Sequence, residues 1–164
     1  MKRLLICRHA KSSWTDPNLR DFDRPLNKRG KSDAPEMGRR LAAHGVQPDL
    51  ICASPAVRAM ETARHYAKQL GYPFARIRFN PGQYEAGVAL LLSLLQEVHQ
   101  EVDTLMMVGH NPESTMLANF LSGLMIENIP TSGVVALEFA VQTWQEIVPG
   151  SGTLLFFDYP KKQS

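Results

Sequence analysis

Apolar residues along the chain come in short, nearly unbroken runs set between longer stretches of helical period. The segments Leu4 to Cys7, Asp49 to Ala53 and Thr104 to Val108 each hold four apolar residues in a row. Such runs are too short for a helix and lack the alternation of a half-exposed strand, so they predict strands buried on both faces. Between the first two, Asn27 reads as a helix N-cap, and Ala34, Met37 and Leu41 recur at helical spacing until Gly45 closes the segment. Pro35 inside it predicts a kink or a later start. Ser54-Pro55 predicts a second helix, with Ser as N-cap and Pro at the first helical position, running through Leu70 with Val57, Met60, Ala63 and Ala67 inward. Arg76 to Phe79 reads as a short strand and Val88 to Val98 as a Leu-rich helix. Asn111 and Pro112 open a further helix ahead of Met116, Leu117, Phe120 and Leu121. Gly133 to Ala140 and Gly152 to Tyr159 read as strands around the turn Val148-Pro149-Gly150-Ser151, and Lys161 to Ser164 as a frayed tail. The segment from Lys11 to Leu26 has neither period and is rich in turn formers, which predicts a long loop.

Composition narrows what such a chain can be. Its 164 residues, 44% hydrophobic and 21% charged, suit one globular domain spanning 1–164. The start Met1-Lys2-Arg3 followed by an apolar run mimics a secretory leader, but the run stops short of the ~7–15 residues required, so a mature N-terminus is expected. No stretch approaches the ~20 apolar residues of a membrane span, so no membrane partner is expected. Cys7 and Cys52 both end strand-like runs, which favours reduced buried thiols over a disulfide and a cytoplasmic setting. Charge is unevenly spread: residues 1–40 carry eleven Lys and Arg against five Asp and Glu, and the remainder seven against eleven. That basic quarter would attract an anion. Its cations are interleaved with acids and Pro, no helix carries a basic stripe and aromatic residues are sparse there, so a small phosphate group fits better than nucleic acid.

The candidate chemistry sits where strands end. Arg8-His9 follows the first strand, and in open α/β sheets ligands gather at the carboxyl ends of strands. A neutral imidazole nitrogen can attack phosphorus while the guanidinium fork grips the anionic oxygens. His110 follows the strand ending at Val108-Gly109 in the same way. Arg58 falls in the first turn of its helix, where free N–H groups and the dipole favour an anion, although a solvated surface Arg is the alternative. Two imidazoles and two guanidiniums in one pocket would repel one another unless an anion joined them. Zinc is the other ligand two His suggest, but no third donor shows ligand spacing and the Arg residues would repel a cation. Cys52 and Arg58 also have the spacing of a cysteine-dependent phosphatase loop, yet the residues between them include no Gly to curl the backbone around a phosphate. Lys11, Ser13 and Arg24 are candidates to return from the long loop to substrate, the alternative being solvated loop side chains. Asn111, beside His110, is a fourth substrate-binding candidate. Glu85, just before a helix, could act as general acid if burial raised its pKa, or could merely cap the helix. His44, His65 and His99 read as surface residues.

Arg8-His9-Ala10, Ser54-Pro55-Ala56-Val57-Arg58-Ala59 with Thr62-Ala63, and Gly109-His110-Asn111-Pro112, in that order, resemble the histidine phosphatase superfamily in its short phosphohistidine phosphatase branch of SixA type. The resemblance spans essentially the whole chain. Lys11-Ser12-Ser13-Trp14 and Asp23-Arg24-Pro25-Leu26 are similar to that branch rather than to the longer phosphoglycerate mutases; Ala10 departs from the family's Arg-His-Gly. The resemblance implies a phosphoglycerate mutase-like, three-layer α/β/α sandwich with a mixed, mostly parallel sheet. It implies His9 as a transiently phosphorylated nucleophile, with Arg8, Arg58 and His110 holding the phosphoryl oxygens, and no metal or organic cofactor. Glu85 matches the location of the larger relatives' acidic residue. The implied substrate is phosphohistidine in a protein. A small phosphate ester on the same fold, and a phosphate-binding module without turnover, are the two other classes to be separated from it.

Overall fold

The computed structural model describes residues 1–162. Six strands form one mixed sheet: β1 (Lys2–Arg8), β2 (Leu50–Ala53), β3 (Arg78–Phe79), β4 (Thr104–Gly109), β5 (Val134–Phe139) and β6 (Thr153–Asp158), in the order β3-β2-β4-β1-β5-β6. β3, β2, β4 and β1 run parallel, and β5 and β6 are antiparallel to their neighbours. The helices are α1 (Lys28–Ala43), α2 (Val57–Leu70), α3 (Val88–Gln96) and α4 (Glu113–Ser122).

The apolar runs are explained by burial on both faces. Leu5 and Cys7 of β1, Met106 and Val108 of β4, and Val134 and Ala136 of β5 pack with Ala34, Met37 and Leu41 of α1 and Ala59, Ala63, Tyr66 and Ala67 of α2. The alternate residues Leu4, Ile6, Leu105, Met107, Val135 and Leu137 pack on the other side with Leu91 and Leu95 of α3 and Leu117, Ala118 and Leu121 of α4. Alternate residues of the central strands β1, β4 and β5 thus belong to one of two cores, and the fold is the three-layer α/β/α sandwich of the resemblance.

Several boundaries differ from the sequence reading. α1 starts at Lys28 in spite of Pro35, because Asn27 caps it by accepting from the Gly30 N–H at 2.8 Å, an interaction of about 1 kcal/mol. α2 starts at Val57, two residues after Pro55, with Ala56 rather than Ser54 at the cap. Its buried face is Ala59, Thr62, Ala63, Tyr66 and Ala67, whereas Val57 and Met60 are half-buried. The tail is not frayed through Lys162, because Arg40 donates to the carbonyls of Tyr159 and Pro160 at 2.9 Å and of Lys162 at 3.4 Å. Gln163 and Ser164 lie outside the described residues.

One register decides where the site lies. β1 and β4 are adjacent and parallel at the centre of the sheet, with Arg8 opposite Gly109. The next residue of each strand is His9 or His110, so both imidazoles leave the same sheet edge side by side.

Candidate active site

His9 is fixed on three sides by backbone. Its N–H donates to the Gly109 carbonyl at 3.0 Å, its own carbonyl accepts from the Ser132 N–H at 3.1 Å, and the Arg8 N–H donates to Gly133 at 3.0 Å. The following residue, Ala10, is tied to α2, its N–H donating to Thr62 Oγ1 at 2.9 Å while the Thr62 hydroxyl donates to the Arg58 carbonyl at 2.8 Å. Ala10 is buried and outside the positive-φ residues, so Ala here carries no left-handed strain.

The ring of His9 is oriented by its Nδ1, 2.6 Å from the Ala10 carbonyl. A carbonyl only accepts, so Nδ1 carries the proton and Nε2 keeps a free lone pair. That nitrogen faces Arg58, whose Nε–H donates to it at 3.3 Å. Burial pushes the His9 pKa down to about 3, helped by the charges of His110, Arg58 and Arg8 and opposed by the bond to Ala10. The His110 ring lies 5.2 Å away, centroid to centroid. Burial, then Arg58, lowers its pKa to about 4, with Asp21 opposing. Both imidazoles are therefore neutral at neutral pH.

Ser54, read from sequence as a helix cap, has another place. Its hydroxyl accepts from the Ala56 N–H at 3.2 Å and lies 2.8 Å from His110 Nε2. With that hydroxyl donating to Nε2, the remaining proton of the neutral ring sits on Nδ1, which is buried and has no protein partner. In that tautomer His110 keeps a buried N–H with no protein acceptor. Arg8 donates from Nη1 to the Ile129 carbonyl at 2.9 Å, and its Nε is likewise buried and unpartnered. Two buried donors without acceptors beside a lone-pair nitrogen are suited to an oxyanion.

The candidate residues therefore separate. Arg8, His9, Arg58 and His110 come together at one sheet edge. Arg58 is buried, which removes the solvated-surface alternative. Asn111 is spent on scaffold: its amide donates to Asn128 Oδ1 at 2.8 Å and the Ile129 carbonyl at 3.0 Å, and its Oδ1 accepts from Thr115 in α4. Arg24 is also buried, its Nε donating to the Ser13 carbonyl at 3.1 Å and its Nη2 to the Ser12 hydroxyl, with Trp14 stacked against the guanidinium. The Ser13 hydroxyl pairs with Thr15 at 2.9 Å, and the Lys11 side chain is exposed. Lys11 contributes its carbonyl instead, which approaches Gly30 so closely that a Cβ there would lie 2.1 Å from it. Loop 11–26 is thus an organised element, with a single 3-10 turn at Asp21–Asp23 and a bridge between Ser12 and Leu26.

Glu85 is exposed and left-handed at φ 59°, so the burial that a general-acid role called for is absent. Gly87, not Glu85, occupies the cap position of α3. The carboxylate that reaches the cluster is Asp21, which the sequence reading missed. It accepts from Arg58 Nη2 at 2.9 Å, Arg24 Nη1 at 2.8 Å and the Tyr84 hydroxyl at 2.8 Å. Partial burial would raise its pKa, but these three donors, with the charge of Arg58, hold it down to about 2. No sequence signal separates it from Asp16 and Asp23 in the same loop.

The cysteine alternative fails on geometry. Cys52 packs in the layer of α3 and α4, across the sheet from the helix that carries Arg58. Burial pushes its thiol up to about 11, with Arg78 opposing, so no thiolate is available.

Residues 4–101 match the family model described as the histidine phosphatase superfamily (branch 1). An uncharacterized chloroplastic protein of Arabidopsis thaliana is 34% identical over 159 residues, covering 92% of this chain and 72% of its own length. Among solved structures, a putative phosphohistidine phosphatase SixA from Agrobacterium tumefaciens is 30% identical with a TM-score of 0.82, covering 97% of this chain and 98% of that one. A protein histidine phosphatase SixA complexed with tungstate has a TM-score of 0.83 at 22% identity, covering 96% and 97%, and shares the fold.

Proposed function

The chain belongs to the histidine phosphatase superfamily and is a phosphatase, and we propose that it removes the phosphoryl group from phosphohistidine in a protein, through a phosphohistidine intermediate on His9. In this reading the neutral Nε2 of His9 attacks phosphorus while Nδ1 keeps its proton on the Ala10 carbonyl. The substrate's phosphorylated ring enters carrying a proton from solvent on its other nitrogen, so when its bond to phosphorus breaks the electron pair returns to that ring and it leaves as neutral imidazole. Arg8, Arg58 and the Nδ1–H of His110 hold the phosphoryl oxygens and stabilise the charge of the transition state. Water then attacks the phosphorylated His9 and releases inorganic phosphate. The whole chain acts as one histidine phosphatase domain, a reading supported by the continuity of the sheet from β3 to β6.

The observation that carries the substrate choice is the absence, among the described residues at the cluster, of a carboxylic acid able to donate a proton. Asp21 is held ionised and Glu85 is exposed. An alkoxide leaving group needs strong proton assistance, whereas imidazole, with a pKa near 6.5, departs with little.

The test is turnover of a phosphohistidine protein beside a panel of alkyl phosphate esters, with acid and alkaline quenches. Faster hydrolysis of phosphohistidine is expected, together with an adduct labile in acid, persistent in alkali and mapping to the peptide that holds His9. Preferential ester turnover, or an adduct elsewhere, would overturn the reading.

A further inference from the structure

The way Asp21 meets Arg58 divides the guanidinium in two. Its end-on pair of nitrogens is taken by this one residue, Nη1 donating to the main-chain carbonyl at 2.6 Å and Nη2 to the carboxylate at 2.9 Å. Its lateral edge, formed by Nε–H and the second N–H of Nη2, is turned to His9, with Nε 3.3 Å from His9 Nε2. A phosphoryl group arriving at His9 Nε2 meets the lateral edge. The guanidinium is rigid and planar, so holding its end sets the direction of its side.

Asp21 is itself prevented from swinging. Its other carboxylate oxygen accepts from Arg24 Nη1 at 2.8 Å, and the Tyr84 hydroxyl donates at 2.8 Å to the oxygen shared with Arg58. Tyr84 in turn packs edge-on against His110 and Phe22. Arg24 is buried and bound to Ser12 and Ser13 at the base of the loop. The chain of contacts therefore runs from the loop base through Arg24 and Asp21 to the one cation that touches His9 Nε2.

We propose that Asp21 is a positioning residue for phosphoryl transfer, holding the far end of Arg58 so that its lateral edge faces phosphorus. This rests on His9 being the nucleophile. A carboxylate on an Arg could also act as a competitor that the substrate must displace, but a competitor would occupy the lateral edge. Asp21 occupies the other one.

A double-mutant cycle tests it, using Asp21→Ala, Arg58→Ala and the double variant on a phosphohistidine protein. Asp21→Ala should lower kcat/KM by roughly 10- to 100-fold, mainly in kcat, because alignment is lost in the transition state. In the Arg58→Ala background the same change should cost less than about two-fold, since a residue that acts only through Arg58 has nothing left to act on. Asp21→Asn keeps an oxygen acceptor and should recover part of the loss; it replaces Asp21→Ala in the cycle if the latter melts early. Additive losses, or tighter inhibition by inorganic tungstate in Asp21→Ala, would overturn the proposal. A wild-type enzyme with no adduct on His9 would sink the nucleophile assignment and this role together, whereas additivity in an enzyme that forms the adduct would sink this role alone.

Discussion

His9 and His110 stand on backbone that the sheet holds, through the pairing of Arg8 with Gly109, the Ser132 N–H and the Gly133 carbonyl. Asp21 and Arg24 stand on loop 11–26, whose base is closed by backbone bonds, Ser13 N–H to the Pro25 carbonyl at 2.8 Å and Asn27 N–H to the Lys11 carbonyl at 2.9 Å. Its reach to the cluster is made by side chains: a guanidinium against an indole and bound to Ser12 and Ser13, and a carboxylate shared by two arginines and a tyrosine. The first arrangement survives most substitutions around it because ladder hydrogen bonds do not depend on side-chain identity. The second depends on each member in turn. The candidate catalytic imidazoles sit on strand ends, and the residue proposed to aim Arg58 sits on a loop.

The largest effect should come from the sheet side. His9→Ala should abolish turnover and adduct together, a loss of about 10⁴-fold or more, while Cys52→Ser retains both. Intact turnover by His9→Ala would break the comparison at its root. Arg58→Ala, where the two regions meet, should cut kcat/KM by ~10²-fold or more, and Arg58→Lys should rescue poorly because a point charge cannot serve both edges at once.

Arg24→Ala sharpens the loop side: with its keystone gone, the loop should become a protease target and kcat/KM should fall by roughly 10-fold through Asp21. It should also cost about 1–3 kcal/mol in urea unfolding, from buried partners left unpaired. Uncut loop and unchanged rate would show that the network is ornamental. Ser54→Ala should slow turnover only several-fold, by freeing the His110 tautomer; ring ¹⁵N shifts should report the mixed protonation. A further effect is on stability with pH. Both imidazoles titrate far below an unfolded His at ~6.5, His9 at about 3 and His110 at about 4. The unfolded chain therefore binds protons that the folded one refuses, so stability is full above ~6.5 and declines as pH falls toward 4. His110→Asn should flatten that slope in thermal melts at pH 7, 6, 5 and 4.

What could be seen in the sequence follows the same division. Leu4 to Cys7 and Leu105 to Val108 announce strands buried on both faces, so the α/β/α layering and the meeting of His9 and His110 at one sheet edge were legible. Asn27 was legible because a cap is local. Ser54 was misread because its hydroxyl answers to His110, far away in the chain, more than to its own helix. Asp21 was missed, and Ser13, Arg24 and Asn111 were assigned to substrate, because whether a polar side chain is free or spent is settled by partners the sequence does not order. Glu85 matched by position, but its left-handed backbone and exposure are properties of the turn around it.

The pairing of β1 with β4 also bears on how the protein is made. Leu5 has its register partner at Met106, and His9 is locked only when Ser132 and Gly133 arrive. Synthesis delivers residues from the N-terminus at about 5–20 per second, so His9 emerges many seconds before the strand that shapes its surroundings. A ribosome-bound chain that ends before α4 should therefore be chemically silent toward phosphohistidine. Activity should switch on late and all at once as the central strands close, and an enzyme arrested there would hold every catalytic side chain yet perform no catalysis.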